Sequence, residues 1–313
     1  MATDIALLTP LPRRERAANR SARVIVTGAS LLVALALAGV GVFLGVQGWP
    51  ALGAASADLP MQAPNLWALA LPLAFGSVWA SFLALLMAAP VAVGVALFIT
   101  WYAPKRVSRI LGAVIDVLAA VPSVVYGLWG LMVLAPIMAR VYAWLGAHLG
   151  WFPLFAGTAS ASGRTIFTAA VVLAIMVMPI MAAICREVFQ QTPAASSEAA
   201  MALGATKWET IRLAVLPFSR SGIISGAMLG LGRALGETMA TAMVISPVPF
   251  LISFRLITSS NPNTVAAFIA QNFPEAHGIQ VSALIALGLV LFAITFIVNA
   301  AARGVARGYG GAQ

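Results

Sequence analysis

Apolar residues run along most of this chain in long blocks separated by short polar stretches. Six blocks stand out: Val24 to Val46, Leu69 to Trp101, Ile110 to Pro136, Ile166 to Cys185, Gly222 to Val248, and Val281 to Ala302. An α-helix rises about 1.5 Å per residue and the hydrocarbon layer is about 30 Å thick, so roughly 20 apolar residues suffice to cross it. The pattern therefore predicts an all-α polytopic membrane protein with six transmembrane helices. The second block is long enough to tilt or to include an interfacial turn near Pro72. Pro122 falls inside the third, where its missing amide predicts a bend. The blocks divide the chain into a basic tail (1–23), a first span with an outer loop (24–68), a core of five spans (69–303) that includes a polar loop at 186–220, and a short tail (304–313).

Composition agrees: 61% of the 313 residues are hydrophobic and 9% charged, against about a quarter charged in soluble domains. The first span follows Arg13, Arg14, Arg16, Arg20 and Arg23, and Ala55-Ser56-Ala57 resembles a cleavage site. An apolar run of about 23 residues is longer than a signal peptide core, so a retained anchor with a cytoplasmic basic tail is expected. Six crossings then return the C-terminus to the cytoplasm. Lys105, Arg106, Arg109, Arg186, Lys207, Arg212, Arg220, Arg303 and Arg307 fall on that side, whereas the outer connections hold only Arg140, Arg164 and Arg255. The net charge of +9 is thus read as orientation against the inner leaflet, not as nucleic-acid binding. Cys185 is the only cysteine and His148 and His277 lie far apart, so neither a disulfide framework nor a metal site is expected. Trp49, Trp67, Trp101, Trp144 and Trp151 lie near span ends, as an aromatic belt requires. The connections at 47–68 and 249–280 are rich in Pro, Asn, Ser and Gly and are expected to face the outer aqueous side.

The loop at 186–220 reads as two short cytoplasmic helices. Pro193 opens the first, with Ser196 or Ser197 near its cap, and Gly204 ends it; Thr206 and Glu209 form a capping box for the second, which is expected to stop at Pro217. A helix that receives force from a soluble partner needs small residues for close approach, a charge for orientation and a stop. Glu198, Ala199, Ala200, Gly204, Leu216 and Pro217 supply them, although an ordinary amphipathic interfacial helix would look similar. This stretch resembles the EAA motif of ATP-binding-cassette importer permeases, with Ala214 where isoleucine is usual. The resemblance implies the type I (MetI-like) permease fold and a coupling helix seated in a cleft of a separate ATPase. The chain holds no Gly-x4-Gly-Lys-Ser/Thr loop, so it is not expected to hydrolyse ATP or bind a cofactor itself; ATP and Mg are used by the partner.

Within the fifth block, Arg233 and Glu237 are four residues apart, so an unbroken helix would put them one turn apart on one face. A charge in hydrocarbon costs about 2.5–3.5 kcal/mol or more, so such residues turn inward and pair. The pair reads as a gated anion contact, since guanidinium presents a planar fork to phosphate or carboxylate oxygens; an inert packing salt bridge is the alternative. Gly222, Gly226 and Gly230, with Gly232 and Gly236 on a second line, let another helix approach closely. Ser123 and Tyr126 could face the pathway or simply pack, and Asp116 is expected to pair with Arg109.

The stretches Asp116 to Pro136 and Gly230 to Ala240 are similar to the two signature stretches of the C-type permease family (PstC) of phosphate-specific importers, and the similarity spans most of residues 70–303. It implies that Arg233, Glu237 and Thr238 belong to a phosphate path. It also implies a complex with a second related permease (PstA-like), two ATPase subunits (PstB-like) and an extracytoplasmic phosphate-binding protein (PstS-like). A permease for another oxyanion such as sulfate, an ion-coupled secondary carrier, and an assembly or sensor subunit are the competing readings.

Overall fold

The computed structural model describes residues 13–310. Six of its helices are long and apolar enough to cross a membrane. The basic tail expected over 1–23 and the short tail at 304–313 lie partly outside the described residues. Helix α1 (Arg13–Gly48) begins earlier than the apolar block that predicts it. It forms a unit of its own through Gln47, and a second compact unit starts at Gly48. That boundary differs from the grouping of 24–68, because Ala51, Leu59 and Ala63 are buried with Leu66, Leu69, Ala283 and Leu287.

Helix α2 (Leu66–Leu97) is opened by the Asn65 side chain, which accepts a hydrogen bond from the Ala68 amide at 2.7 Å, and it runs through Pro72 without a turn. It ends in a wider π-helical turn at Phe98–Tyr102. Buried Ala80, Ala84, Ala88, Ala92 and Ala96 recur every fourth residue, a small-residue seam that admits a neighbouring backbone. The neighbour is α5 (Ile166–Gln190), the most enclosed span, whose Val172, Leu173, Met176, Val177, Met181, Cys185 and Phe189 are all buried.

The third crossing differs from its expected bounds. Val121 and Pro122 are both extended, with ψ of 131° and 139°, because a residue before proline is pushed out of the helical region. The chain therefore breaks there: α3 (Lys105–Ala120) is a separate amphipathic helix, and the crossing is α4 (Ser123–Leu149), not Ile110 to Pro136. Helix α3 docks on the end of α5 through Leu111 and Ile115. Asp116 pairs there with Arg186 at 3.3 Å and not with Arg109.

The fifth crossing is displaced the opposite way. Helix α7 (Lys207–Leu235) starts in the polar loop and stops at Gly236, well short of Val248. A short helix, α8 (Met239–Val244), follows the break. The segment 249–280 is not simply a solvent-facing connection, since residues 261–268 are all buried. Asn261 explains part of this: its Oδ1 accepts from the Ile166 amide at 2.9 Å, and its Nδ2 donates to the Arg164 and Ser246 carbonyls at 3.3 Å each. Ser77 Oγ accepts from the Val265 amide at 2.9 Å, fixing the start of α9 (Val265–Asn272) on α2. Such satisfied polar contacts are what permit irregular backbone to be buried. The last span is α10 (Ile279–Gly310).

Candidate functional site

The polar loop builds one surface. Helix α6 (Ala194–Ala202) starts after Pro193, with no side-chain cap; Ser197 Oγ donates to the Ala194 carbonyl at 2.9 Å. It ends where Gly204 adopts a φ of +86°, a conformation that costs glycine little, and its amide bonds back to the Met201 carbonyl at 3.0 Å. Thr206 then caps α7 through the expected capping box: Thr206 Oγ1 accepts from the Glu209 amide at 3.3 Å, and Glu209 Oε2 accepts from the Thr206 amide at 2.8 Å. Glu198, Ala199 and Gly204 are exposed and Ala200 is half-buried. Leu203, at 90% exposure, stands furthest into solvent of the large apolar side chains among the described residues, and Leu213 is exposed near it.

The second expected loop helix is not separate. Leu216 and Pro217, both half-buried, lie within α7, which passes them without a break. A π-helical turn at Ile211–Val215 immediately precedes them and widens the helix where the proline ring would otherwise meet the preceding carbonyl. Helix α7 is consequently one rod of about 42 Å from the loop to its last turn.

That last turn holds Arg233. Its side chain is exposed and lines a groove of about 570 Å³ between α7 and α10, together with Ser225 and Gly232 on α7 and Asn299 and Arg303 on α10. The glycine lines divide accordingly. A Cβ at Gly222 or Gly230 would approach Val188 or Val177 to 2.5 Å, and one at Gly226 would approach Ile184 to 3.3 Å, so the helix these glycines admit is α5 of the same chain. Gly232 has no such neighbour within 4 Å and faces the open groove, whereas Gly236 ends the helix and lines a separate cleft with Thr238 and Ala266.

Glu237 does not join Arg233. The expected ion pair presupposes continuous helix, but α7 stops at Leu235 and the next residues turn away. Glu237 is 8% exposed, and its Oε1 accepts from the Ala240 amide at 3.2 Å, capping α8. Among the described residues the one salt bridge is Arg186 with Asp116. Thr238 Oγ1 donates to the Gly236 carbonyl at 3.3 Å, and Thr241 Oγ1 donates to the carbonyls of Glu237 and Thr238 at 2.9 and 3.0 Å. The break at 236–238 is thus a held structure, not a frayed helix end.

Tyr126 is buried beside this break, in a cluster with Ala234, Ala240 and Val244. Its hydroxyl donates to the Leu118 carbonyl at 3.0 Å across the Pro122 junction. Ser123, at the first turn of α4, is half-buried. The structure separates Arg233 from Glu237, and of the five expected pathway residues Arg233 is the one that lines the groove. Sequence reasoning missed Asn299 and read Arg303 only as an inner-side charge; the signal available was a polar pair one helical turn apart at the end of an apolar run.

Six long apolar helices, an exposed loop built on the start of one of them, and a guanidinium in a groove at the end of that same helix fit a membrane-spanning transport subunit. Residues 88–310 match the family model described as "Binding-protein-dependent transport system inner membrane component". The chain is 42% identical to the phosphate transport system permease protein PstC 2 of Mycobacterium tuberculosis, over 98% of this chain and 97% of that one. It is 46% identical to the PstC protein of Mycobacterium leprae over 74% of this chain and 73% of that one. The chain belongs to the PstC family of binding-protein-dependent permease subunits. Its fold is similar to that of the MetNI methionine ABC transporter in an inward-facing conformation, with a TM-score of 0.55 at 14% identity over 77% of this chain and 96% of that one.

Proposed function

We propose that this chain is the permease subunit of an ATP-driven importer of inorganic phosphate, and that the groove at Arg233 is its part of the translocation path. A second related permease chain (PstA-like) completes that path. Two ATPase subunits (PstB-like), which use ATP and Mg, dock on the exposed loop around Glu198, Ala199, Ala200 and Gly204, and a phosphate-binding protein (PstS-like) delivers the anion from outside. Both termini are cytoplasmic, in keeping with Arg186, Lys207, Arg212 and Arg220 gathered on the loop side.

The observation behind this reading is the position of Arg233 on the open face of a rod that begins in the docking loop. Any displacement of the loop by an ATPase is passed toward the guanidinium along α7, which runs as one helix from Lys207 to Leu235. Arg233 offers the anion a fork of N–H donors and a full charge. Glu237 does not neutralise it; its carboxylate holds the helix break at 236–238, so the end of the rod and α8 keep a defined angle. Tyr126 braces the Pro122 junction next to this break through the Leu118 carbonyl.

Phosphate uptake into proteoliposomes containing the reconstituted four-component complex tests the reading. Uptake should require ATP and binding protein and be indifferent to a proton gradient. Arg233→Gln should lower it by about ten- to a hundredfold, the loss expected of a charge-assisted contact. Uptake by Arg233→Gln equal to that of the parent, or uptake driven by a gradient without ATP, would refute it.

A further inference from the structure

The groove that holds Arg233 holds a second guanidinium. Arg303 and Asn299 face it from α10, one helical turn apart, while Arg233 and Ser225 face it from α7. Ser225 and Arg233 are eight residues apart, which sets Arg233 about 12 Å further along the helix axis. Arg303 is 24 residues past the start of α10, about 36 Å, and so stands at the edge of a hydrocarbon layer about 30 Å thick. Among the described residues neither arginine meets a carboxylate, since the one salt bridge joins Arg186 and Asp116. Two exposed cations line one largely apolar groove without a carboxylate partner, so both are free to receive an anion.

Resting on the function proposed above, we propose that Arg303, assisted by Asn299, is a second contact for the transported phosphate, at the inner end of the groove that Arg233 begins. A lipid headgroup would satisfy only the interfacial arginine and leave Arg233 among acyl chains. A small tetrahedral anion can meet each guanidinium in turn. Two stations that each bind weakly pass a charged cargo better than one deep trap, because entry and exit both need shallow wells. Asn299 supplies a neutral donor next to Arg303, which orients the anion without deepening the charge well.

Phosphate uptake and ATP hydrolysis by the reconstituted complex, in phosphatidylcholine liposomes with and without phosphatidylglycerol, test this assignment. Arg303→Gln should lower uptake about tenfold in both lipids while hydrolysis stimulated by the binding protein persists, and Arg303→Lys should recover most of the loss. Asn299→Ala, which leaves the interfacial charge in place, should lower uptake about threefold and serves if Arg303→Gln fails to assemble. Uptake by either variant equal to the parent would overturn the assignment. So would a loss confined to liposomes containing phosphatidylglycerol, which would make Arg303 a headgroup contact, or full activity of Arg303→Gln beside failure of Arg303→Lys. If Arg233→Gln also transports normally, the underlying reading of the groove fails; if only Arg303→Gln does, this inference alone fails.

Discussion

Helix α7 has two faces with opposite uses. On one, Gly222, Gly226 and Gly230 bring the backbone against Val188, Ile184 and Val177 of α5. On the other, Ser225, Gly232 and Arg233 open onto a groove. A glycine-rich transmembrane helix does not by that fact announce a partner subunit; here one glycine line serves packing inside the chain, and the other leaves room. The packed face ties the rod to the most enclosed helix of the protein, so motion of the docking loop is expected to be passed on as a shift of α7 with α5.

Variants on the two faces should fail in different ways. The largest effect is expected on the open face, where Arg233→Glu places a carboxylate in the path of an anion; phosphate uptake should fall about a hundredfold or more with the subunit still inserted and assembled. On the packed face, Gly230→Leu drives a side chain into Val177 and should destabilise the protein by about 1–3 kcal/mol, read as a lowered midpoint in thermal unfolding of the detergent-solubilised complex. At the break between the faces, Glu237→Ala removes the α8 cap at a cost of about 1 kcal/mol, whereas Glu237→Gln keeps an oxygen acceptor and should retain most of the stability and uptake. A Gln variant as impaired as Ala would instead implicate the charge. Smallest of all, Gly232→Ala meets nothing within 4 Å and should raise helix stability by at most about 1 kcal/mol while leaving assembly unchanged.

Features of this chain that depend on local spacing were readable in advance. Six crossings follow from apolar length, and the Thr206–Glu209 capping box and the Gly204 stop follow from residue types at fixed offsets. What misled was the assumption that an apolar run is one helix. Average hydrophobicity continues smoothly through Pro122 and Gly236, but the backbone does not, and both breaks are held by side-chain hydrogen bonds that hydrophobicity does not register. Tyr126 braces one by reaching back to Leu118, and Glu237 and Thr241 hold the other. The expected Arg233–Glu237 pair does not form, because it assumed a helix that continues past Leu235. Pro217 failed in the reverse sense, since the π-helical turn before it lets α7 continue where a stop was expected. Burial of residues 261–268 was also hidden, because an Asn-rich segment reads as a surface loop unless its partners on α2 and α5 are known.

The claim that Arg233 faces a water-filled path from the open side of α7 can be measured directly by cysteine accessibility. Cys185, the only native cysteine, is fully buried, so it can be replaced by alanine and single cysteines introduced at Ser225, Gly232 and Ser219. In the assembled complex, a charged, membrane-impermeant thiosulfonate should modify Ser225→Cys and Gly232→Cys, more slowly when phosphate is present, and leave Ser219→Cys untouched. Labelling of positions 225 and 232 only by an apolar, membrane-soluble maleimide would show that this face meets lipid, and would contradict the account.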